Sequence, residues 1–329
     1  MADALLSVRE LTVSLPERAG SIDLVRSISF ELHAGAVHAL VGESGAGKTL
    51  TARAILGLLP RGCEARGQIL FNGTDLLDLP ESQIRAIRGR RLAMVFQQPD
   101  QHLNPSMRVG TQIEEVLRVH LSLDRAGARL RTEELLALVE LPERSTARAY
   151  PHELSGGMKQ RVMIALAIAC GPDILIADEP TTALDARVQA QIMKLLDRIR
   201  RDVCTAVLFI SHDLALVGRV ADEVSVMYCG RIVEHASARA LFECAHHPYT
   251  QRLVASTPDP AKRGRPLAAI PGTVPDSGKV PDGCAFAPRC PLATERCRLE
   301  IPALRTTETD RLAACHFAEA VMEGCLLDR

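Results

Sequence analysis

The sequence predicts a mixed α/β domain with an inserted helical subdomain near residues 98–160, followed by a small, irregular, cysteine-rich extension. Three observations lead there. Short continuous apolar runs at 174–177 and 206–210 fit strands buried on both faces of a largely parallel sheet. The stretches TQIEEVLRVH (111–120) and LRTEELLALV (131–140) repeat their apolar residues at helical spacing. After about residue 245 proline and glycine become frequent, periodicity fades, and Cys284, Cys290, Cys297 and Cys315 crowd together. The main domain is therefore expected over 1–243 and the extension over 244–329.

The elements follow in order. Residues 5–41 read as strands joined by turns, with apolar positions alternating at Leu11, Val13 and Leu15. Asn72-Gly73, between the run 68–71 and Leu76-Leu77, is a hairpin signal. A helix is expected over 49–58, and another over 187–201, where Val188, Ile192, Leu195 and Leu196 share one side. The chain has no internal repeat.

Composition narrows the class. Apolar residues make up 47% of the 329 positions, while aromatics are 3% and Trp is absent, so the core should be aliphatic. A formal charge of −1 leaves no electrostatic footprint for DNA or RNA, and nucleic acid is discounted as a partner. The longest apolar stretches, such as 162–170, fall short of the roughly 20 residues of a membrane helix. The N-terminus MADALLSVRE lacks the layout of a signal peptide, so a cytosolic protein that meets a membrane only through partners is expected. Disulfides among the ten cysteines are not expected in that compartment.

Two motifs carry chemistry. Gly42-Glu43-Ser44-Gly45-Ala46-Gly47-Lys48-Thr49 fits G-x-x-x-x-G-K-[ST] between an apolar run and a helix. Glycines let backbone N–H groups close around phosphates, and the helix N-terminus favours the anion. Lys48 supplies charge to the β- and γ-phosphates and Thr49 a hydroxyl for Mg²⁺. Asp178 and Glu179 end the apolar run 174–177: Asp178 would hold Mg²⁺, and Glu179 would polarise the attacking water. A strand ending in Asp-Glu is ordinarily a solvated strand end; the phosphate loop ahead of it changes that reading.

Leu154-Ser155-Gly156-Gly157-Met158-Lys159-Gln160-Arg161 precedes the Asp-Glu strand by one helix and resembles the signature of the ATP-binding cassette family. The resemblance covers residues 5–240 and implies a P-loop ATPase core. Small residues there expose a helix N-terminus as a second phosphate cradle. Membership would make Ser155, Gly156 and Gly157 contacts to the γ-phosphate bound by the opposite cassette, so that the active form is a dimer. Gln97 resembles the glutamine that senses nucleotide, ligates Mg²⁺ and couples to membrane subunits. Thr182-Ala183-Leu184-Asp185 resembles the loop that crosses the dimer interface, and His212 the switch histidine at the γ-phosphate. Two departures stand out. No aromatic residue occurs in 1–29, and Leu15 lies where an adenine-stacking ring is expected, which implies an aliphatic seat for the base. Gln98 replaces a frequent Asp.

His247-Pro248-Tyr249-Thr250-Gln251-Arg252-Leu253 and the cysteine-bearing tail resemble the ATPase subunits of oligopeptide and dipeptide importers. Importers of nickel, opines and glutathione share much of this vocabulary. The implied partners are a second, related ATPase subunit, two permeases and an extracytoplasmic solute-binding protein, on the cytoplasmic face of the membrane. Four thiols at loop-like spacings suit either zinc or an iron–sulfur cluster. The resemblance favours a structural [4Fe–4S] cluster on Cys284, Cys290, Cys297 and Cys315, with Cys325 a spare thiol. Cassettes acting on DNA or ribosomes carry coiled-coil insertions or tandem repeats, and this chain has neither. A kinase would leave 154–161 unexplained.

Overall fold

The computed structural model describes residues 4–17, 20–182, 184–257 and 270–327. They divide into two compact units: Met1–His33, Val37–Asp78 and Phe209–Arg329 form the first, and Ala34–Ala36 with Leu79–Leu208 the second. The strands, in chain order, are β1 (Leu6–Glu17), β2 (Gly20–Leu32), β3 (Val37–Val41), β4 (Glu64–Phe71), β5 (Thr74–Asp75) and β6 (Leu92–Val95). β7 (Ile174–Asp178), β8 (Ala206–Ser211), β9 (Glu223–Tyr228), β10 (Arg231–Ser237), β11 (Arg305–Glu308) and β12 (Arg311–Ala313) follow.

The first unit holds an antiparallel sheet ordered β2-β1-β4-β5. Asn72 and Gly73 make its tightest turn, with φ of 47° and 78°, the doubly positive backbone of a hairpin turn. The turn returns as Thr74-Asp75 rather than Leu76-Leu77. Beyond it the Asp75 carboxylate accepts the Ile69 and Leu77 N–H groups at 3.0 and 3.1 Å, and the Leu76 N–H continues to the Ile69 carbonyl, at 2.8 Å.

A second array in this unit runs β11-β12-β10-β9-β3. β3 pairs parallel with β9, His38 opposite Glu223, and every residue of β3 is buried, His38 included. The extension, read from sequence as irregular, contributes β11 and β12 to the edge of this array through Glu234↔Ala313. Strands of four and three residues rich in Arg and Thr carry too little periodicity to be seen in advance. The core is mostly aliphatic, with Phe30, Phe71 and Phe209 buried singly and one aromatic cluster in which Tyr249 lies 4.6 Å from Tyr228 and 5.4 Å from Phe286, ring centre to ring centre.

In the second unit β6 and β7 pair parallel, with Val95 opposite Ala177. The helices Val109–Leu121 and Arg125–Leu138 form where the spacing predicts them. Ala186–Val203 buries Ile192, Leu195 and Leu196 of the expected side, together with Met193 and Ile199, while Val188 is half-buried. The Gly156–Ile168 helix is buried over almost all of its second half and forms the middle of this unit. Arg161, only 8% exposed, donates to the Val139 carbonyl at 2.7 Å and the Glu140 carboxylate at 2.9 Å. Those bonds fix the helix that bears the signature. No helix among the described residues is long and apolar enough to cross a membrane.

Candidate nucleotide-binding and hydrolysis site

The phosphate loop lies in the first unit, between β3 and the Lys48–Ile55 helix. Gly42, Gly45 and Gly47 have φ of 150°, 81° and 102°, which side-chain-bearing residues rarely adopt. A Cβ at Gly42 would overlap the Met227 carbonyl, so glycine there is also a steric demand. Gly47 caps the helix without any side-chain bond. A helix N-terminus whose N-cap residue offers no side-chain acceptor is a setting that suits an anion. Lys48 is 5% exposed, and its Nζ donates to the Gly42 and Glu43 carbonyls at 2.7 and 3.0 Å. Its ammonium is therefore held over the loop, where phosphate oxygens would meet it. Ala46 is buried, Ser44 and Gly45 are exposed, and Thr49 is half-buried. The loop's geometry and charge fit a polyphosphate.

The carboxylates lie in the second unit. Asp178 ends β7 and is 2% exposed. Glu179 follows with φ 46°, a left-handed backbone unusual for a non-glycine residue. Its Oε2 accepts from Gln97 Nε2 at 2.7 Å and from Thr182 Oγ1 at 2.9 Å. Strand register explains the first bond: Val95 opposes Ala177, so Gln97, two residues on, reaches Glu179. The Phe96 N–H donates to Met163 Sδ at 3.3 Å, tying this segment to the signature helix. Gln97 uses its amide nitrogen here and keeps an oxygen for other work. Within this unit the Asp178 carboxylate and the Gln97 amide oxygen are hard-oxygen donors, the kind Mg²⁺ takes.

Ser155 is the exposed N-cap of the signature helix, accepting from the Met158 N–H at 3.4 Å, a long bond. Gly156 is exposed. A Cβ at Gly157 would stand 2.9 Å from Val188, so glycine there lets the signature pack on the Ala186–Val203 helix. Asp185 is exposed and caps that second helix, accepting the Arg187 and Val188 N–H groups at 3.0 Å. Ala183 lies outside the described residues. His212, in the first unit, is exposed directly after β8. Leu15, half-buried on β1, pairs with Ile22 of β2, an aliphatic surface where the sequence lacks a ring. Gln98 precedes a short helical turn, Pro99–His102.

Sequence reasoning missed three residues around the loop. The Glu43 carboxylate is held by Arg289, and the Glu43 N–H donates to the Tyr249 hydroxyl at 2.9 Å. Tyr228 accepts from the same arginine at 3.2 Å. His247–Leu253 had served only as a family marker, and Arg289 was passed over beside the cysteines.

The tail corrects one expectation. Cys284, Cys290, Cys297 and Cys315 do border a common cavity, but its volume is about 10 Å³, no more than a single water needs. Burial raises the thiols of Cys284 and Cys290 and pushes Cys315 up to about 11. Among the described residues no group of three or more His, Cys, Asp or Glu side chains is placed to hold a metal ion. Neither the [4Fe–4S] cluster nor zinc stands. These thiols pack as small apolar groups beside Phe286 and Phe317, a role their proline-rich spacing concealed.

Comparison with known proteins agrees with the site. The family described as "ABC transporter" matches residues 25–182, and "Oligopeptide/dipeptide transporter, C-terminal region" matches 233–297. The oligopeptide transport ATP-binding protein OppD of Escherichia coli is 45% identical over 315 residues, 95% of this chain and 93% of that one. The dipeptide transport ATP-binding protein DppD of the same organism is 44% identical over 316 residues, 95% of this chain and 97% of that one. A solved dimeric ATP-binding cassette in a post-hydrolysis state, bound to ADP and Pi, superposes with a TM-score of 0.64. It is 26% identical, across 71% of this chain and 99% of its own.

Proposed function

The chain belongs to the ATP-binding subunits of oligopeptide and dipeptide ABC transporters, and from that premise we propose how its own residues bind and cleave MgATP. It is an ATPase that energises peptide uptake. The observation that carries the peptide class is the match of the tail, residues 233–297, beyond what a cassette requires.

Backbone N–H groups of 42–49 and the Lys48 ammonium take the β- and γ-phosphates. Thr49, Asp178 and Gln97 would hold Mg²⁺, which when bound would supply charge neutralisation for the phosphates. Glu179 is the general base; its bonds to Gln97 and Thr182 hold the carboxylate in one direction before water arrives. His212 contacts the γ-phosphate. Ser155, Gly156 and Gly157 serve the nucleotide of a partner cassette, and Asp185 lies at that interface. Leu15 and its aliphatic neighbours seat the adenine, with weaker discrimination of the base than a stacked ring gives.

Two cassettes are needed for each composite site. The partner in this reading is a related but different ATPase subunit, and the pair works at the cytoplasmic face of the membrane on two permeases fed by a solute-binding protein. Residues 1–243 form the ATPase domain and 244–329 its extension. The test is reconstitution of these components in liposomes. Peptide should enter only when ATP is supplied on the side of this chain. Uptake without ATP, or recovery of the chain on ribosomes or DNA with no permease, would overturn the reading.

A further inference from the structure

The acidic side chain of the phosphate loop is held from the tail. Arg289 grips Glu43 at two points, Nη1 to Oε2 at 2.7 Å and Nη2 to Oε1 at 3.1 Å. Its other donors go to the Tyr228 hydroxyl at 3.2 Å and to the Pro271 and Ile270 carbonyls at 2.9 and 3.4 Å. All five guanidinium N–H groups are thereby directed. The arginine side chain is 4% exposed against 28% for its glutamate, so the anchor is buried and the loop end faces outward. From the same side the Tyr249 hydroxyl accepts the Glu43 N–H, and that ring is fully buried between Tyr228 and Phe286.

A buried ion pair contributes little stability over an apolar pair of the same shape. What a two-point pair does supply is direction. A loop with glycines at positions 42, 45 and 47 is soft, and ordering it when ATP arrives would weaken binding. We infer that Arg289 and Tyr249 are positioning residues for the phosphate loop: the tail clamps Glu43 and pre-organises the loop for the phosphates of ATP. The inference rests on the ATPase reading. Arg289 acts through Glu43, since none of its donors is left for the nucleotide. The tail thereby has a function in nucleotide binding that requires no bound group of its own.

The test compares the full chain with Arg289→Lys, which keeps the charge and loses the two-point grip, and with Tyr249→Phe, which removes only the hydroxyl. Arg289→Lys should raise KM for ATP about tenfold and Tyr249→Phe about threefold, with kcat within about twofold of the parent in both. A lowered thermal midpoint with unchanged KM in both would assign the contacts to stability alone and overturn the clamp. A fall in kcat at constant KM would overturn it as well. Should Arg289→Lys fail to fold, Tyr249→Phe decides. Absence of turnover in the parent chain would count against the ATPase reading instead, and calorimetric ATP affinity would then read the clamp in the same variants.

Discussion

Gln97 Nε2 donates to Glu179 Oε2 at 2.7 Å, and Thr182 Oγ1 donates to the same oxygen at 2.9 Å. The carboxylate at the end of the buried strand is thus aimed by a neighbouring strand on one side and by its own following turn on the other. Glu179 also sits at φ 46°, a conformation that persists only where surroundings enforce it. Gln97→Ala frees the base on one side. Turnover should fall about tenfold or more through lost orientation, while ATP affinity changes less; single-turnover hydrolysis measures the first and calorimetry the second.

Lys48 is held over the loop by two carbonyl bonds, ready to exchange one for phosphate. Lys48→Ala removes a charge-assisted contact worth about 1.5–3 kcal/mol, so ATP should bind about 10- to 100-fold more weakly. Equilibrium titration with ATP checks this, and affinity equal to the parent would remove Lys48 from the phosphate site.

The signature separates binding from turnover. Ser155→Ala deletes a long capping bond and the hydroxyl proposed to serve a partner cassette's nucleotide. ATP affinity of the isolated chain should be unchanged, while turnover of the assembled pair should fall at least about tenfold. Gly157→Ala should do the same and also lower stability by about 1–3 kcal/mol, because its Cβ would press on Val188. Denaturant titration reads the second effect.

Glu234 sets a pH dependence that has nothing to do with catalysis. It is 1% exposed, and burial pushes its carboxyl up to about 7, despite N–H bonds from His246 at 2.6 Å and His247 at 2.9 Å. Between pH 4.5 and about 7 the folded chain keeps a proton that the unfolded chain has released. The contribution is therefore complete below the unfolded value and is lost as pH rises toward 7, on the order of 3 kcal/mol. Glu234→Gln should flatten that slope in urea unfolding measured across the range. An unaltered slope would assign it to other groups.

Particular residues show what could be read in advance. β7 and β8 were legible because a continuous apolar run has few other uses, and the phosphate loop because glycine at 42, 45 and 47 answers a backbone requirement. The bond from Thr182 to Glu179 was not, although both residues had been singled out, because the turn that joins them shows only in three dimensions. Tyr249 and Arg289 reach Glu43 across 206 and 246 positions, and no local pattern marks such a pairing. The tail cysteines erred the other way. Their spacing described loops accurately, but ligation depends on the space between thiols, and a cavity of about 10 Å³ leaves none for a cluster.

ATP turnover by the assembled transporter carrying Glu179→Gln tests most directly whether this chain cleaves ATP with Glu179 as base to drive uptake. Loss of a general base should slow hydrolysis about 100- to 10,000-fold, with ATP still bound at parental affinity and the complex stalled in its nucleotide-loaded state. Turnover close to that of the unaltered complex would contradict the account.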